Sequence, residues 1–325
     1  MGRWAGRLLA FCVVALLLAG GWYVWVQDRF EAPGPAAVET TVILPKGAGV
    51  AGVAGALAEA GVIREPLLFR IGVRLAGRDR DLKAGEYAFP AGASARQVME
   101  IVAGGRTVVH RLTVPEGLTS RQILELVAQA EALEGAVGAL PPEGALLPET
   151  YHFSRGDSRA ALVERMAADM QAAVAALWAG RDEGLPLDSP AQMVTLASIV
   201  EKETGVAAER PRIAGVFVNR LRQGMRLQSD PTVVYALTQG AGPLGRELTR
   251  ADLAVDSPYN TYANPGLPPG PIANPGRAAL EAVAHPLATE ELYFVADGTG
   301  GHAFARTLDE HNRNVAKWRA QQGGD

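Results

Sequence analysis

Cysteine is nearly absent from the chain: Cys12 is the only one in 325 residues, and it lies inside a long apolar run. A single cysteine excludes an intramolecular disulfide framework and a metal centre built from cysteines. Packing must therefore stabilise the fold. With 48% hydrophobic residues, the chain can bury a substantial core and has room for about two domains.

A strong charge of either sign is also absent, because the formal net charge is only −4. A protein that binds nucleic acid usually presents a basic field to the phosphates. We therefore expect no nucleic-acid partner.

Motifs for metal or nucleotide chemistry are missing as well. The five histidines do not follow H-E-x-x-H or a similar spacing, although His302 and His311 could become ligands by folding together. The stretch GTGG, at 298–301, lacks the Lys-Ser/Thr pair of a phosphate loop and predicts a hairpin turn instead. No Ser-His-Asp set stands out, and we expect neither a metal nor a cofactor.

The chain does have one long apolar run, LLAFCVVALLLAGGWYVWV, at Leu8–Val26. Its length matches that of a helix that crosses the hydrocarbon core of a bilayer. Arg3 and Arg7 precede the run, and aromatic residues occupy its far end from Trp22 to Trp25, where such rings favour the membrane interface. We predict a transmembrane anchor over this run, with a cytoplasmic tail at 1–7.

A cleaved signal peptide is the alternative interpretation of the same run. The run is long, however, and bulky apolar residues follow the small residues 19–21, where a polar mature start would be expected. We therefore expect an uncleaved, single-pass anchor in the inner membrane, with the N-terminus in the cytoplasm and the rest in the periplasm. Residues 27–37 form a short linker, rich in Pro, Gly and Ala, that holds the soluble part near the bilayer.

A pattern of strand, Pro-x-Gly turn and amphipathic helix occurs three times, starting at Val42, Glu86 and His110. Two of the helices begin with a capping-box spacing, at 94–97 and 119–122. Small helices of this kind predict a compact α+β module, without the glycine-rich turn of a nucleotide site. The module is either a structural spacer or a polymer-binding unit, and the spacing does not choose between them.

A second region begins near Gly144–Phe153. It contains a core-facing helix, because apolar residues recur at helical spacing from Ile213 to Leu221. Asp230 stands before a proline, which predicts a turn there and a new helix from Thr232.

A segment rich in Pro, Gly and Asn, Asp256–Gly276, is unsuited to a helix or a central strand. Loops of this length in compact domains are usually functional or mobile, and Tyr259 and Tyr262 could stack on rings. We interpret this loop as functional. The rest of the chain predicts a helix at 277–285, a strand at 292–296 and a final helix from about Thr307.

The helix TLASIVEKETG, at 195–205, carries two carboxylates on either side of Lys202. A helical wheel centres its apolar stripe on residues 193–200 and places Glu201 and Glu203 on opposite flanks of that stripe. Carboxyl groups at the edge of buried surface have pKa values raised by desolvation, which suits a general acid. The alternative is two rim residues paired with basic neighbours, and the wheel does not choose between the two carboxylates.

Close to these carboxylates in the sequence lies a polar cluster with an aromatic neighbour. Sugar hydroxyls need hydrogen-bond partners and sugar faces need flat apolar rings, so the cluster is typical of a sugar-binding cleft. The same residues could instead cap helices or form a turn. They are Gln228, Ser229, Asp230, Thr232 and Tyr235.

Four separated segments together resemble the endolytic murein transglycosylases of the MltG/YceG family. They are LASIVEKETGVAAERPRIAGVFVNRLRQGMRLQSDPTVVYAL, LLPETYHF, SPYNTYANPGLPPGPIANPG and EHNRNV. The similarity covers nearly the whole chain. It implies an α+β protein with an N-terminal transmembrane helix, a small LysM-like α/β module at 38–110 and a mixed α+β catalytic domain at 111–325.

The resemblance also implies a lyase, namely a peptidoglycan lytic transglycosylase that needs no cofactor, with Glu201 as catalytic acid and base. Such an enzyme cleaves the β-1,4 bond between N-acetylmuramic acid and N-acetylglucosamine and leaves 1,6-anhydro ends. One carboxyl serves both steps because the attacking 6-hydroxyl belongs to the substrate. The expected substrate-binding residues are Glu149, Tyr151, Glu203, Gln228, Asp230, Thr232, Tyr235, Ser257, Tyr259, Asn260 and Tyr262.

Two other functions stay open at this point. A hydrolase would use Asp230 or Glu203 as a second carboxyl and would release reducing sugars. A membrane-held scaffold would bind glycan through the module at 38–110 and cut nothing. The resemblance favours an enzyme whose partners are peptidoglycan glycan strands, the inner membrane and a peptidoglycan synthase, and whose cutting terminates strand growth.

Overall fold

The computed structural model describes residues 2–322 and shows a mixed α+β protein, as predicted. Met1 and residues 323–325, at the ends of the predicted cytoplasmic tail and catalytic domain, lie outside the described residues. The side chain of Arg3, predicted to mark the cytoplasmic end of the span, also lies outside the described part of the chain.

The chain divides into two compact units. The first unit extends to His110 and also contains His152–Gly156. The second unit contains Arg111–Tyr151 and the chain from Asp157 onward.

Helix α1, Gly2–Glu31, contains the predicted span, and its apolar part is long enough to cross a membrane by length and composition. The helix continues beyond Val26, so the first part of the predicted linker is helical. The reason is packing, because Val26 and Phe30 are buried and the ring centroid of Phe30 lies 6.2 Å from that of Phe69. The end of the helix is thus part of the core of the first unit.

The remainder of the first unit combines one strand pair with three helices. Strand β1, Thr40–Leu44, runs antiparallel to strand β2, Gly85–Phe89, with Thr40 opposite Phe89. Their inward side chains, including Leu44 and Tyr87, join a buried cluster with apolar residues of the helices. The helices are α2 (Val50–Glu59), α3 (Pro66–Leu75) and α4 (Ala95–Gly104).

The three predicted strand-turn-helix units are confirmed. Strand β1 leads to α2, β2 leads to α4, and β3 (Val109–Thr113) leads to α5 (Ser120–Ala128). Both capping boxes form, and in the first one the Ser94 side chain accepts from the N–H of Gln97. Strand β3 pairs with strand β5, Thr150–Ser154.

The second unit is mainly helical and has two short strand pairs of its own. Strand β4, Leu133–Glu134, is parallel to β6, Asp157–Ser158, and strand β7, Tyr293–Ala296, is antiparallel to β8, His302–Ala305. The hairpin turn predicted for 298–301 is therefore confirmed. The helices are α6 (Arg159–Gly180), α7 (Pro190–Glu203), α8 (Arg210–Arg222), α9 (Asp230–Thr238), α10 (Arg277–Ala284) and α11 (Leu308–Gln322).

Helix α7 lies at the centre of the second unit. It packs against α6, α8, α9 and α10, and every residue from Met193 to Val200 is buried. A helix that is apolar on nearly all sides is expected to be enclosed by its neighbours. Only its last turn, which carries the two glutamates, reaches the edge of this core.

Helix α9 begins at Asp230, before the predicted start at Thr232. Pro231 occupies the first turn, where the missing N–H of proline costs no hydrogen bond. The turn prediction for this dipeptide therefore has to be corrected: the proline is inside the helix start.

The segment 256–276 contains no helix or strand, as predicted. It is nevertheless fixed by internal hydrogen bonds, because the buried side chain of Asn260 donates to the carbonyls of Leu253 and Val255. The preceding segment from Gln239 forms turns and a 3-10 helix at Asp252–Ala254.

Candidate active site

The site is built at the C-terminal end of helix α7. The helix begins with Ser189 as N-cap and Pro190 in its first turn, and it ends at Glu203, after which Thr204 is extended. The C-terminal end of a helix carries partial negative charge, which disfavours carboxylates there unless donors face them. Glu201 and Glu203 therefore each need a partner, and each has a different one.

Glu201 is held by two donors. Its Oε1 lies 3.3 Å from Nη2 of Arg210, and its Oε2 accepts a hydrogen bond of 2.9 Å from the backbone N–H of Gly276. Only 5% of the Glu201 side chain is exposed. The carboxylate is thus withdrawn from bulk water and oriented by charge and backbone together.

A third acidic residue joins this pair. Oε2 of Glu116 also lies 3.3 Å from Nη2 of Arg210, so one guanidinium serves two carboxylates. Burial raises the pKa of Glu116, and the nearby charge of Glu201 raises it further, while Arg210 opposes the shift. One positive charge cannot neutralise two negative ones, and Glu116 is the carboxyl whose protonation this favours.

The backbone at Gly276 approaches Glu116 closely. A Cβ atom at this position would overlap the carboxyl group of Glu116. The φ angle of Gly276 is −74°, which any residue can adopt, so glycine is required here for space alone. Because glycine has no side chain, the N–H of Gly276 can donate to Glu201 while the Glu116 carboxyl lies next to it.

Asn274 fastens the loop to the turn that carries Glu116. Its side chain is fully buried, donates to the carbonyl of Leu118 and the hydroxyl of Ser120, and accepts from the N–H of Leu146. Its own carbonyl accepts from the N–H of Gly117. These bonds fix the position of Gly276 relative to Glu116 across a long separation in sequence.

Glu203 faces different surroundings, as the helical wheel predicts. The Ser229 hydroxyl donates a short hydrogen bond to its carboxyl group. Burial raises the pKa of Glu203 to about 7, the bond from Ser229 opposes this shift, and the charge of Asp230 adds to it. The raised pKa expected for a carboxyl on the flank of α7 is therefore confirmed for Glu203.

A cavity of about 460 Å³ lies at the end of helix α7, with Lys202 in its lining and Glu201 outside that lining. Gly117 and Lys202 belong to its wall, and a Cβ on Gly117 would lie 3.5 Å from Cγ of Glu201, so the candidate acid is directly behind this wall. The Nζ of Lys202 donates to the carbonyl of Gly117 at 3.3 Å. The volume is in the range typical of small-ligand sites.

Some of the predicted site residues come together at this cavity. Asp230 and Tyr235 line it. The Tyr259 ring centroid lies 4.8 Å from that of Tyr235, and the Tyr262 hydroxyl donates to Oδ1 of Asp230 at 2.6 Å. Burial raises the pKa of Tyr235 to about 12, so its hydroxyl is a neutral donor at physiological pH.

Other predicted residues lie close by without facing the cavity. The charge of Glu149 acts on Glu116. The exposed Gln228 adopts φ 53° and accepts from the buried Arg220, while Ser257 accepts from the N–H of Tyr259. The polar groups of Gln228 and Ser257 thus form hydrogen bonds with protein groups near the site.

Three predicted substrate-binding residues are buried, and their polar groups bond to protein. The Tyr151 hydroxyl donates to the carbonyl of Leu147 at 2.8 Å. The Thr232 hydroxyl donates to the carbonyl of Ser229 at 2.7 Å, and the Asn260 amide holds its own loop. In this structure they support the walls of the site and do not open onto the cavity.

The sequence patterns did not single out Glu116, Arg210, Gly276 or Asn274. Glu116 is the middle residue of a Pro-x-Gly turn that was recognised only as a turn. Its neighbours in space come from segments far along the chain, so no local periodicity connects them.

No group of three or more His, Cys, Asp and Glu that could hold a metal ion occurs in residues 2–322. The two histidines considered as chance ligands have other roles. The Nδ1 of His302 lies 2.8 Å from Oε2 of Glu209, and the ring of His311 stacks on Tyr293 at 5.2 Å.

The site thus combines three features. They are a central buried helix, a carboxylate at its end that a guanidinium holds, and a cavity with paired aromatic rings. The sequence comparison gives the family. Residues 42–317 match the YceG-like family, and the chain belongs to it.

Two named relatives are similar to this chain in sequence. The chain is 41% identical to an endolytic murein transglycosylase of Bacillus subtilis over 55% of this chain and 48% of that relative. It is 31% identical to an endolytic murein transglycosylase of Streptococcus pneumoniae over 95% of this chain and 64% of that relative. The chain thus spans about half of the first relative and less than two thirds of the second.

A solved structure is also similar. The crystal structure of a yceG-like protein from Listeria monocytogenes aligns with a TM-score of 0.52 and 32% sequence identity. The alignment covers 86% of this chain and 99% of that one.

Proposed function

We propose that the protein is an endolytic lytic transglycosylase that cleaves peptidoglycan glycan strands, with Glu201 as its catalytic acid and base. The observation that carries the proposal is the position of Glu201, nearly buried, held by Arg210 and the N–H of Gly276, and directly behind the wall of a cavity. Membership of the YceG-like family and the names of the relatives support the same activity.

The reaction is an internal substitution at C1 of N-acetylmuramic acid. Protonated Glu201 gives its proton to the oxygen that links C1 to N-acetylglucosamine, and the C1–O bond breaks. The 6-hydroxyl oxygen of the same muramic acid bonds to C1, and its proton goes to the Glu201 carboxylate. No water is consumed, and the intramolecular attack has the entropic advantage of a nucleophile that is already in place.

The surroundings of Glu201 suit both steps. Before the sugar bond breaks, Glu116 shares Arg210 with Glu201, so the guanidinium does not stabilise a charge on Glu201 alone. Once that proton has left, Arg210 and the N–H of Gly276 stabilise the carboxylate, which then acts as the base.

We propose that the cavity binds sugar rings next to the scissile bond. The Tyr235 and Tyr259 rings offer flat apolar faces, and Asp230 and Lys202 offer polar groups at the cavity wall. The remaining members of the proposed substrate-binding set act at this surface or behind it. They are Glu149, Tyr151, Glu203, Gln228, Thr232, Ser257, Asn260 and Tyr262.

We further propose how the rest of the chain serves this activity. The run at 8–26 anchors the protein in the inner membrane, with residues 1–7 in the cytoplasm and the remainder in the periplasm. Residues 27–37 connect the anchor to a LysM-like module at 38–110 that binds glycan, and residues 111–325 form the catalytic domain. An anchored enzyme meets new strands as synthases produce them, so cutting terminates their growth.

One second candidate, a hydrolase, is favoured by a specific observation. Glu203 has a pKa of about 7, and Asp230 lines the cavity, so a second carboxyl is available near the substrate. A hydrolase of this kind would activate water and yield reducing ends.

The test is digestion of purified glycan strands by the wild type, Glu201→Gln and Glu203→Gln, followed by mass spectrometry of the chain ends. We expect 1,6-anhydro ends from the wild type and loss of cleavage by at least about a thousandfold for Glu201→Gln. Reducing ends would establish the hydrolase. Binding of glycan without cleavage, unchanged by Glu201→Gln, would establish a scaffold.

The synthase partnership has its own test. Chemical crosslinking in native membranes, followed by purification of the full chain, should recover a peptidoglycan synthase. Recovery of the chain without any such enzyme would remove this part of the proposal and leave the cleavage reaction untouched.

A further inference from the structure

A second cavity lies entirely within the first unit. Its volume is about 560 Å³, and it lies between helix α3, the start of α2 and Trp22 of helix α1. It has an apolar part and a basic part. The lining includes Leu67, Ile71 and Leu75 together with Arg70 and Arg74.

Helix α3 has one apolar face in the core and a second one outside it. Leu68, Phe69 and Val73 are buried in the first unit. Leu67 and Leu75, in contrast, are 63% and 46% exposed. Leu67, Ile71 and Leu75 are spaced four residues apart, so all three lie on one side of the helix. Leu67 and Leu75 leave this second face exposed, and all three residues line the groove.

Arg70 and Arg74 stand one helical turn apart at the same groove. Both are exposed, and neither guanidinium group makes a hydrogen bond or an ion pair with another residue in the described part of the chain. Most other residues that line the groove are apolar or small, and Asp79 is the one carboxylate among them. Two neighbouring guanidinium groups without partners are suited to a phosphate group, which each can bind with two donors.

The groove lies at the end of the apolar run of α1. Trp22, which lines it, is inside the segment that is long and apolar enough to cross a membrane. The position of α1 against this unit is fixed by buried Val26 and Phe30, and Arg96 donates to Gln27. If the run spans the bilayer, as proposed above, the groove is at the depth of the lipid headgroups.

We propose that this groove binds an anionic phospholipid, with the headgroup phosphate at Arg70 and Arg74 and the upper part of an acyl chain along Leu67, Ile71 and Leu75. The inference rests on the proposed membrane position of α1 and is independent of the cleavage chemistry. Exposed leucines beside unpaired arginines match both the apolar and the anionic part of such a lipid. Bound lipid would hold α3 against the bilayer surface.

The test uses the full chain in detergent, with native mass spectrometry to measure bound lipid. Phosphatidylglycerol and phosphatidylcholine of equal chain length are the probes. We expect the wild type to bind phosphatidylglycerol about tenfold more tightly than phosphatidylcholine, because only the former has a net negative charge. The double variant Arg70→Gln/Arg74→Gln should lose this preference.

The matched control is Lys317→Gln/Arg319→Gln, which removes two exposed positive charges from helix α11 of the second unit. It should bind both lipids as the wild type does. Equal affinity of the wild type for both lipids, or the same loss in the control, would overturn the proposal.

Two further measurements separate a lipid from a free phosphate. Glycerol phosphate, which has no acyl chain, should not displace bound phosphatidylglycerol at comparable concentration, and Leu67→Ser/Leu75→Ser should weaken lipid binding by about tenfold through lost apolar contact. Displacement by glycerol phosphate, or no effect of the serine variant, would contradict the proposal that the groove binds a phospholipid. Lipid binding is measured without glycan, so a failure of the proposed reaction would leave this result unchanged.

Discussion

Glu116 and Glu201 share a single guanidinium, with Nη2 of Arg210 lying 3.3 Å from a carboxylate oxygen of each. The side chain of Glu201 is almost buried, whereas that of Glu116 is 40% exposed. The two carboxylates therefore share one positive charge, although one is buried and the other is partly exposed. In this arrangement burial and the nearby charge of Glu201 raise the pKa of Glu116.

The first prediction concerns Glu116→Gln. Burial and the charge of Glu201 raise the pKa of Glu116, so this carboxyl titrates above its ordinary range. Without it, the acidic limb of the kcat/KM profile should become shallower, and activity should fall about tenfold because Arg210 is no longer held between two carboxylates. The measurement is glycan cleavage between pH 5 and pH 9.

Glu116→Asp is the control, since it keeps the negative charge near Arg210. It should restore most of the wild-type pH profile. An acidic limb that keeps its slope in Glu116→Gln, even if the maximum is lower, would mean that Glu116 only supports the fold.

The second prediction concerns Gly276→Ala. The added Cβ displaces the carboxyl group of Glu116, while the backbone N–H that donates to Glu201 stays in place. Cleavage should therefore change in the same direction as in Glu116→Gln, with a similar change of the pH profile. Gly205→Ala is the matched control, because a Cβ at Gly205 meets no atom within 4 Å and should leave the profile unchanged.

The third prediction concerns stability and pH. The pKa of Glu203 is raised by burial to about 7 in the folded chain, so the folded state holds this proton more tightly than the unfolded state. The stabilisation is complete at acidic pH and is lost as pH rises towards 7, with a total of about 3 kcal/mol. Thermal unfolding of the full chain in detergent between pH 5 and pH 8 measures it.

Glu203→Gln stays neutral throughout and should remove this part of the pH dependence, so the variant gains stability relative to the wild type as pH rises. Glu281→Gln, at an exposed carboxyl on helix α10, should keep the wild-type dependence. Parallel curves for the wild type and Glu203→Gln would show that Glu203 is ionised at pH 5.

The fourth prediction concerns Asn274→Ala. The change leaves the N–H of Leu146 without its buried partner and removes the bonds to the Leu118 carbonyl and the Ser120 hydroxyl, so the free energy of unfolding should fall by about 2–3 kcal/mol. Cleavage should also drop, because Asn274 connects the loop to the turn of Glu116. Asn264→Ala, at an exposed position of the same loop, should cost less than about 1 kcal/mol.

Much of the fold could be predicted because its signals are local. A Pro-x-Gly turn after an alternating run and before an amphipathic helix predicts three units, and the capping boxes at Ser94 and Thr119 form with the predicted partners. The start of helix α9 was less predictable, because Pro231 is compatible both with a turn and with a first helical turn.

The candidate site was predictable only in part. The helical wheel separates Glu201 from Glu203, and their partners do lie in different places, with Arg210 on one side and Ser229 on the other. The wheel could not show that Arg210 also contacts Glu116, because that contact joins residues 94 positions apart.

By itself the sequence determined where helices and strands form, which run is apolar enough for a membrane, and which short segment carries two acids at the end of a buried helix. These features depend on backbone preferences and side-chain periodicity over a few residues. Only the tertiary structure decided which acid is paired with arginine, which has its pKa raised by burial, and which glycine leaves room for both. Such properties depend on desolvation and on charges brought within a few ångströms from distant parts of the chain.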